Sequence, residues 1–374
     1  MRMLQKMVIA MKREFTKVES MKKVAVVGIQ GVPAQYGGFE SLVENLLVNK
    51  ADNVMYTVFC SSKDMPQHMA EYKGARLRYV PLRANGFQSI PYDIISLMRI
   101  PKEADSILVL GVSGCIFLPL FRLFCRKRLI INIDGPEYRR AKWGRWTKMF
   151  LKLSERFAVR FADVVIADNK GIQDYVRQEY GRETELIAYG GDQVICDVDQ
   201  KREEEILAGY GLHKGGYYIS VCRIEPENNC HLILDTISKS GKELVYIGNW
   251  SKSAYGQELK DRYSCCPNIH LLDSIYDMDI LYALRKNSRA YIHGHSVGGT
   301  NPSLVEAMFC GRPIFAYDVV YNRETTCGKA AYWRNTDELS ELLAREPYDA
   351  PALMKTASAK YRWQMIARQY ENLY

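Results

Sequence analysis

The run His293-Gly-His-Ser-Val-Gly-Gly-Thr-Asn-Pro-Ser-Leu-Val-Glu-Ala-Met308 has the residue types of a phosphate and sugar site. A strand is expected to end near His293, and a glycine-rich loop follows. Asn301 suits a helix N-cap and Pro302 the first helical position. The first turn of such a helix offers backbone N–H groups and the positive dipole end, which attract phosphate. Gly298 and Gly299 lack a Cβ and let a ligand approach the backbone beside Thr300 and Asn301. Glu306 lies about one turn in and suits vicinal hydroxyls, such as those of a ribose. The bland alternative is a turn and a helix cap without a ligand.

Three further loops carry charge or glycine at expected strand ends. In Val-Cys-Arg-Ile-Glu-Pro-Glu-Asn-Asn229, Arg223 suits a bidentate clamp on a diphosphate, unless it merely pairs with Glu225 or Glu227. Asn228 or Asn229 is expected to cap the next helix. The loop Gly31 to Glu40 holds Gly31, Gly37 and Gly38 but no GxGxxG, so it fits an acceptor site or plain packing. After an expected strand at Leu129–Ile133 comes Asp134, suited to orient a hydroxyl or act as a base, or simply to form an Asp-Gly turn. Arg139, Arg140, Lys142 and Arg145 interleave with Trp143 and Trp146, a pattern that suits lipid headgroups or pyrophosphate. No nucleic-acid motif accompanies that charge.

These loops need a scaffold. Short β-branched runs at Lys23–Gly28, Met55–Cys60, Leu77–Pro81, Ser106–Leu110, Leu129–Ile133 and Val164–Ala167 alternate with helical stretches. The helix after Gly38 places Phe39, Leu42, Val43, Leu46 and Leu47 on one stripe. A polar stretch, Asp197–Glu205, interrupts the pattern. A second series follows at Tyr217–Val221, Leu244–Ile247, Ile269–Leu271, Ala290–His293 and Pro313–Tyr317. The alternation predicts two doubly wound α/β domains facing across a cleft, with ligands at the carboxyl ends of the strands. The expected divisions are an extension over 1–20, domains over 21–195 and 196–353, and a helical segment over 354–374.

The 374 residues are 47% hydrophobic and 25% charged, which excludes a disordered or collagen-like chain. The net charge of +8 is uneven: residues 1–180 hold 29 basic and 17 acidic side chains. Residues 121–160 alone hold 12 basic and 3 acidic ones, which points to an anionic partner. The ten cysteines show no CxxC or zinc spacing and read as reduced thiols of a cytoplasmic protein. No metal-ligand constellation is visible. The longest uncharged stretch, Ser106–Phe121, is too short to span a membrane, and Met1–Ser20 lacks the apolar core of a signal peptide.

Taken together, Gly-Ile-Gln-Gly-Val-Pro-Ala-Gln-Tyr-Gly-Gly-Phe-Glu40, Asp134-Gly with Arg140-Ala-Lys-Trp143, Arg-Ile-Glu-Pro-Glu-Asn-Asn229 and Gly-His-Ser-Val-Gly-Gly-Thr-Asn-Pro-Ser-Leu-Val-Glu-Ala-Met308 resemble the retaining GT-B glycosyltransferases of family 4. Within it, the chain resembles the bacterial β1-4 rhamnosyltransferases of capsule and O-antigen synthesis, of the DUF1972 type. The resemblance runs from Met21 nearly to the end.

It implies a nucleotide-sugar donor on the C-terminal domain, and a terminal helix crossing back to brace the N-terminal one. Glu306 matches the second Glu of the family's EX7E motif, which holds the nucleotide ribose. Arg223 matches the Arg on the donor diphosphate, and Gly37 and Gly38 match glycines under the phosphates and sugar. Three positions depart from the pattern. Gly298 stands where the first Glu is expected, Asn228 where a diphosphate Lys is expected, and Asp134 where many members have His. The first two departures fit a different donor sugar, such as 6-deoxy rhamnose on a dTDP carrier.

The implied reaction is a front-face transfer without metal or cofactor, in which the leaving diphosphate takes the acceptor's proton. Arg223 and the helix at Pro302 would serve the diphosphate, and Asp134 the acceptor or sugar. The implied acceptor is a lipid-linked saccharide at the inner face of the plasma membrane. Tyr36, Arg139, Arg140, Lys142 and Trp143 would face the acceptor or the anionic membrane surface, with no nucleic-acid partner. Competing readings are a UDP-hexose transferase, a nucleotide-sugar 2-epimerase, a nicotinamide oxidoreductase and a non-catalytic scaffold of polysaccharide assembly.

Overall fold

The structure is a computed structural model that describes residues 20–35, 37–133, 135–139, 143–345 and 350–374. Tyr36, Asp134, Arg140, Lys142 and the extension up to residue 19 lie outside the described residues.

The first sheet grows outward from β1 (Lys22–Val27), whose Val24 to Val27 are fully buried. Such a run suits a strand covered on both faces. Parallel partners flank it: β2 (Val54–Ser61) on one side and β5 (Ser106–Leu110) on the other. Beyond them lie β3 (Glu71–Tyr72), β4 (Ala75–Val80), β6 (Arg128–Asn132), β7 (Val164–Ala167) and β8 (Glu185–Leu186). The order is β3-β4-β2-β1-β5-β6-β7-β8, and only the β3–β4 pair is antiparallel.

The second sheet contains β9 (Tyr217–Val221), β10 (Glu243–Ile247), β11 (Ile269–Leu272), β12 (Ala290–His293), β13 (Ile314–Tyr317) and β14 (Ala331–Trp333). Its order is β11-β10-β9-β12-β13-β14, all parallel. Each sheet reverses its winding direction once, between β1 and β5 and between β9 and β12. Crevices open at the carboxyl ends of strands at such reversals. The Gly31–Glu40 loop follows β1, Arg223 follows β9, and the 294–301 loop follows β12. The topology therefore puts three of the four chemistry-bearing loops at switch points.

Two expectations are corrected. The polar stretch after residue 196 is not a plain break. A helix, Gln200–Gly209, forms there because Asp199 caps it, accepting from the Arg202 N–H at 2.8 Å. The segment 354–374 is not one helix but the end of Pro351–Lys360 followed by Trp363–Glu371. The break at Tyr361 is tertiary in origin. The Tyr361 carbonyl accepts from the Gly191 N–H at 2.9 Å, and its hydroxyl donates to the Thr325 carbonyl at 2.9 Å. Before the break, Leu353 and Ala357 join the core beneath the second sheet. After it, Trp363, Ile366, Ala367 and Tyr370 join the core of the first.

The crossing helix packs on the helix Gly38–Asn49, whose buried face carries Leu42, Val43, Leu46 and Leu47. Its polar anchors are buried as well. Asn132 donates to the Tyr370 hydroxyl at 2.9 Å, and the Ala51 N–H donates to Glu371 Oε1 at 2.7 Å. Removing the buried Ile366 side chain (Ile366→Ala) should cost about 2–5 kcal/mol by transfer plus cavity terms. The exposed Arg368→Ala should stay within about 0.5 kcal/mol. Urea unfolding of both variants checks this, and equal midpoints would show that the helix braces nothing.

Candidate functional site

The helix Pro302–Phe309 begins as the sequence predicts, with Asn301 at the N-cap accepting from the Ser303 N–H at 3.0 Å. The expectation of open N–H groups in its first turn is corrected. Ser303 is spent on that cap, Leu304 donates to the Asn301 carbonyl at 3.0 Å, and Pro302 has no N–H. What remains for an anion is the helix dipole, which favours negative charge near its N-terminus.

The loop before this helix is locked from both domains. On its own side, Ser296 donates twice to the Glu227 carbonyl, from N at 2.9 Å and from Oγ at 2.8 Å. Asn229 donates to the Gly294 carbonyl at 2.8 Å. Asn229 does occupy the N-cap position of the helix Cys230–Ser240, but its side chain makes no capping bond. Asn228 is buried, with its amide donating to the Arg223 carbonyl at 2.7 Å and its Oδ1 2.7 Å from His295 Nδ1. Its side chain shapes the site by tying the Arg223 loop to the 294–301 loop. Arg223 itself stands exposed just past the end of β9.

Across the interface, Asp168 follows β7 of the first sheet and is buried. Its Oδ2 accepts from the Thr300 N–H at 3.1 Å, and its carbonyl accepts from the Thr300 hydroxyl. A Cβ on Gly299 would stand 1.8 Å from Asp168 Oδ1, so only glycine admits this approach. Neighbouring Asn169 reaches the Tyr321 carbonyl at 3.2 Å. A Cβ placed on Gly38 would lie 3.6 Å from Pro302 Cγ, and one on Gly135 would lie 3.9 Å from Gly298 Cα. Gly38, Gly298, Gly299, Thr300, Asn301 and the start of the Pro302 helix thus meet where the two carboxyl edges face each other. Gly37 lies beside them at the start of the helix Gly38–Asn49, with a φ of 103°.

Glu306 is held by two distant parts of the chain. Arg285, buried at the end of the helix Met278–Lys286, pairs with Oε2 at 2.7 Å. Burial is the largest influence and opposes the Arg285 charge, but the Glu306 carboxylate together with Cys310 and Tyr291 holds the guanidinium above its usual range. Gln193 donates to Glu306 Oε1 at 2.8 Å, while its own Oε1 accepts from the Trp363 indole at 2.6 Å. The Glu306 side chain keeps 18% of its surface exposed, so its remaining lone pairs are reachable. Arg285, Gln193 and Asp168 were missed in the sequence. Asp168 stands at the carboxyl end of an expected strand, the one local signal among the three. Arg285 reads as one more cation in a basic helix.

The acceptor-side residues divide. Arg139 does not simply face outward as a lone headgroup ligand. Its guanidinium lies 4.9 Å from the Tyr175 ring centre and 5.8 Å from that of Tyr138. Trp143 is half-buried and donates to Glu137 at 3.2 Å. Among the described residues no cluster of three or more His, Cys, Asp or Glu is arranged to hold a metal ion.

Residues 21–192 match a sequence family described as a domain of unknown function (DUF1972). Comparison with curated proteins finds no match. Solved structures align over nearly the whole chain. Sucrose-phosphate synthase from Thermosynechococcus elongatus has a TM-score of 0.79 at 15% identity, covering 94% of this chain and 98% of that one. Anabaena HepE in complex with UDP and glucose has a TM-score of 0.75 at 16% identity, covering 94% and 98%. The fold is GT-B. The catalytic domain of starch synthase IV from Arabidopsis thaliana, bound to ADP and acarbose, shares the GT-B architecture with a TM-score of 0.72 at 12% identity, covering 95% and 99%. In this GT-B chain the helix Trp363–Glu371 returns to the first domain, as expected from the sequence. No helix among its described residues is long and apolar enough to cross a membrane.

His293 ends β12 and opens the locked loop. Burial pushes its imidazole down from 6.5 to about 3, and among the described residues its Nε2 has no hydrogen-bond partner. The ring stays neutral in the folded chain, whereas the unfolded chain binds a proton below pH 6.5. Its contribution is therefore whole above 6.5 and is lost as the pH falls toward 3, by up to about 1.4 kcal/mol per pH unit. Urea unfolding of wild type and His293→Gln across that window should give a shallower acid limb for the variant. Parallel limbs would mean that His293 does not titrate on unfolding.

Proposed function

We propose that the chain is a retaining glycosyltransferase that moves a sugar from a nucleotide-sugar donor to a lipid-linked saccharide. The observation that carries this reading is Glu306. A partly exposed carboxylate, held by Arg285 and Gln193, stands in the helix that starts at the facing carboxyl edges. The GT-B relatives support it, since HepE was solved with UDP and glucose and starch synthase IV with ADP and acarbose. Under this reading Glu306 accepts from sugar hydroxyls of the nucleotide. Arg223 and the dipole at Pro302 stabilise the diphosphate. The glycines 37, 38, 298 and 299 leave room for the phosphates and donor sugar.

In the transfer, the bond from the anomeric carbon to the diphosphate oxygen breaks. A bond to the acceptor oxygen forms on the same face, and the acceptor's proton passes to the departing phosphate oxygen. The protein's part is to hold charge where it develops. Asp134, between Ile133 and Gly135, is assigned to orient the acceptor. No metal or other cofactor is required by this scheme, and activity should survive a chelator. A lipid-linked acceptor places the enzyme at the inner face of the plasma membrane.

L-Rhamnose on dTDP is the proposed donor. Gly298 has no side chain to meet a sugar hydroxyl where the family pattern has Glu, which favours a sugar with fewer hydroxyls. The dTDP carrier offers Glu306 one hydroxyl where UDP offers two, so comparing the two nucleotides reads that contact directly.

Calorimetry and nucleotide release with dTDP-rhamnose, UDP-glucose, UDP-galactose, UDP-GlcNAc and GDP-mannose test the reading. Tightest binding and slow hydrolysis are expected with dTDP-rhamnose. Preference for another sugar nucleotide would keep the transferase and discard rhamnose, and no binding would sink both. Glu306→Ala should weaken nucleotide binding by about 1.5–3 kcal/mol, the range for hydrogen bonds to a charged group. A 2′,3′-dideoxy nucleotide should not distinguish that variant from wild type. Arg223→Ala should lower turnover by at least about tenfold, in line with a lost charge-assisted contact. Turnover near the wild-type rate would remove Arg223 from the site.

A further inference from the structure

The first domain exposes large apolar side chains on two adjoining helices. On Leu118–Phe124, Phe124 is 83% exposed and Leu123 73%, with Leu120 beside them. On Arg145–Phe161, Trp146 is 80% exposed, with Met149 and Leu153 following along the same face. The two helices pack against each other, so their exposed faces adjoin. Single exposed apolar residues are ordinary on a soluble protein, but a grouped set marks an interaction surface.

The charges on the exposed face of the longer helix are of one sign. Arg145, Lys152, Arg156 and Arg160 share the exposed face with Trp146, Met149 and Leu153, and no acidic residue lies on it. The helix's one carboxylate, Glu155, is buried and accepts from the Tyr180 hydroxyl at 2.6 Å. The nearby acids are matched by bases: Glu179 with Lys152 at 2.7 Å and Asp163 with Arg122 at 2.8 Å. Both helices also arise from the carboxyl edge of the first sheet. One follows the loop after β5 and the other the segment after β6, next to Gly135.

We infer that these two helices form a wedge that enters the headgroup region of an anionic lipid bilayer, with Leu123, Phe124 and Trp146 reaching the acyl boundary. The surrounding Arg and Lys would meet lipid phosphates. Apolar area plus attraction to anionic lipid is what holds an interfacial helix on a membrane. A second copy of the chain is disfavoured as the occupant, because pairing the two faces would oppose like charges. The wedge lies within the basic stretch 121–160 expected to meet an anionic partner, but centres on Leu123, Phe124 and Trp146 rather than on Arg139 and Trp143, which contact Tyr138, Tyr175 and Glu137. The choice of a membrane rests on the proposed lipid-linked acceptor, whose carrier would lie beside the same sheet edge.

The test uses the full chain with vesicles of phosphatidylcholine alone or mixed with phosphatidylglycerol. Wild type should co-sediment with the mixed vesicles and much less with the neutral ones. Leu123→Glu and Phe124→Glu should each lower partition by at least about tenfold, the scale set by losing one buried large apolar side chain. Unchanged thermal unfolding would show that the variants fold. Brominated acyl chains should quench wild-type tryptophan fluorescence, and Trp146→Phe should abolish the quenching. Absent co-sedimentation, wild-type partition by both variants, or no quenching would each overturn the wedge. A dimer in sedimentation velocity that Phe124→Glu dissolves would assign the face to a second copy and overturn it too. Calorimetric donor binding by the same samples separates the two readings. Membrane binding without nucleotide binding would remove the transferase and leave the wedge.

Discussion

The contact of Asp168 with Gly299 and Thr300 holds the two carboxyl edges together, and the geometry of the candidate site follows from it. A buried carboxylate must be hydrogen-bonded, because leaving it unpaired in a low dielectric is costly. Here the main bond that the second domain supplies is the backbone N–H of Thr300. Together with the Thr300 hydroxyl on the Asp168 carbonyl, it sets how far the 294–301 loop stands from the first sheet. Gly299 lets the backbone come that near, and the Pro302 helix is then aimed at Gly38. The loop after β9 follows, because Asn228, Asn229 and Ser296 tie it to the same segment.

What was legible in the sequence was local. The stripe Leu42, Val43, Leu46, Leu47 and the cap Asn301-Pro302 are set by neighbours a few residues away, and both stand as read. The two doubly wound sheets followed from the alternation of buried strands and helices, and their GT-B arrangement was implied by the family resemblance of the loops. The two-residue strands β3 and β8 gave no periodic signal to read. The break at Tyr361 depends on Gly191 and Thr325, so helical propensity alone ran through it.

Within the site, residue types were easier to find than partners. Glu306 was visible as a carboxylate one turn into a capped helix. Its holders were not, because Gln193 lies 113 residues away in sequence and carries no distinguishing pattern. Asn228 shows the reverse case. Its position in the motif drew attention toward a ligand, whereas its burial between Arg223 and His295 gives it a packing task. Arg139 is the exposed cation its sequence context suggests, and the long-range feature hidden there was the Tyr175 ring beneath it.

The return of Trp363–Glu371 to the first sheet makes that domain discontinuous in sequence. Its core is built from residues before 190 and again from residues after 362. A hybrid protein that exchanged the second domain with a relative's would therefore need two junctions, one in the linker and one at Tyr361-Arg362. The exchanged piece would also have to bring a glutamate and an arginine able to receive the resident Gln193, whose other hand stays on Trp363. Donor preference in this architecture is thus less freely transplantable than two separate sheets imply, and recombination would succeed most readily between chains that keep this four-residue relay in register.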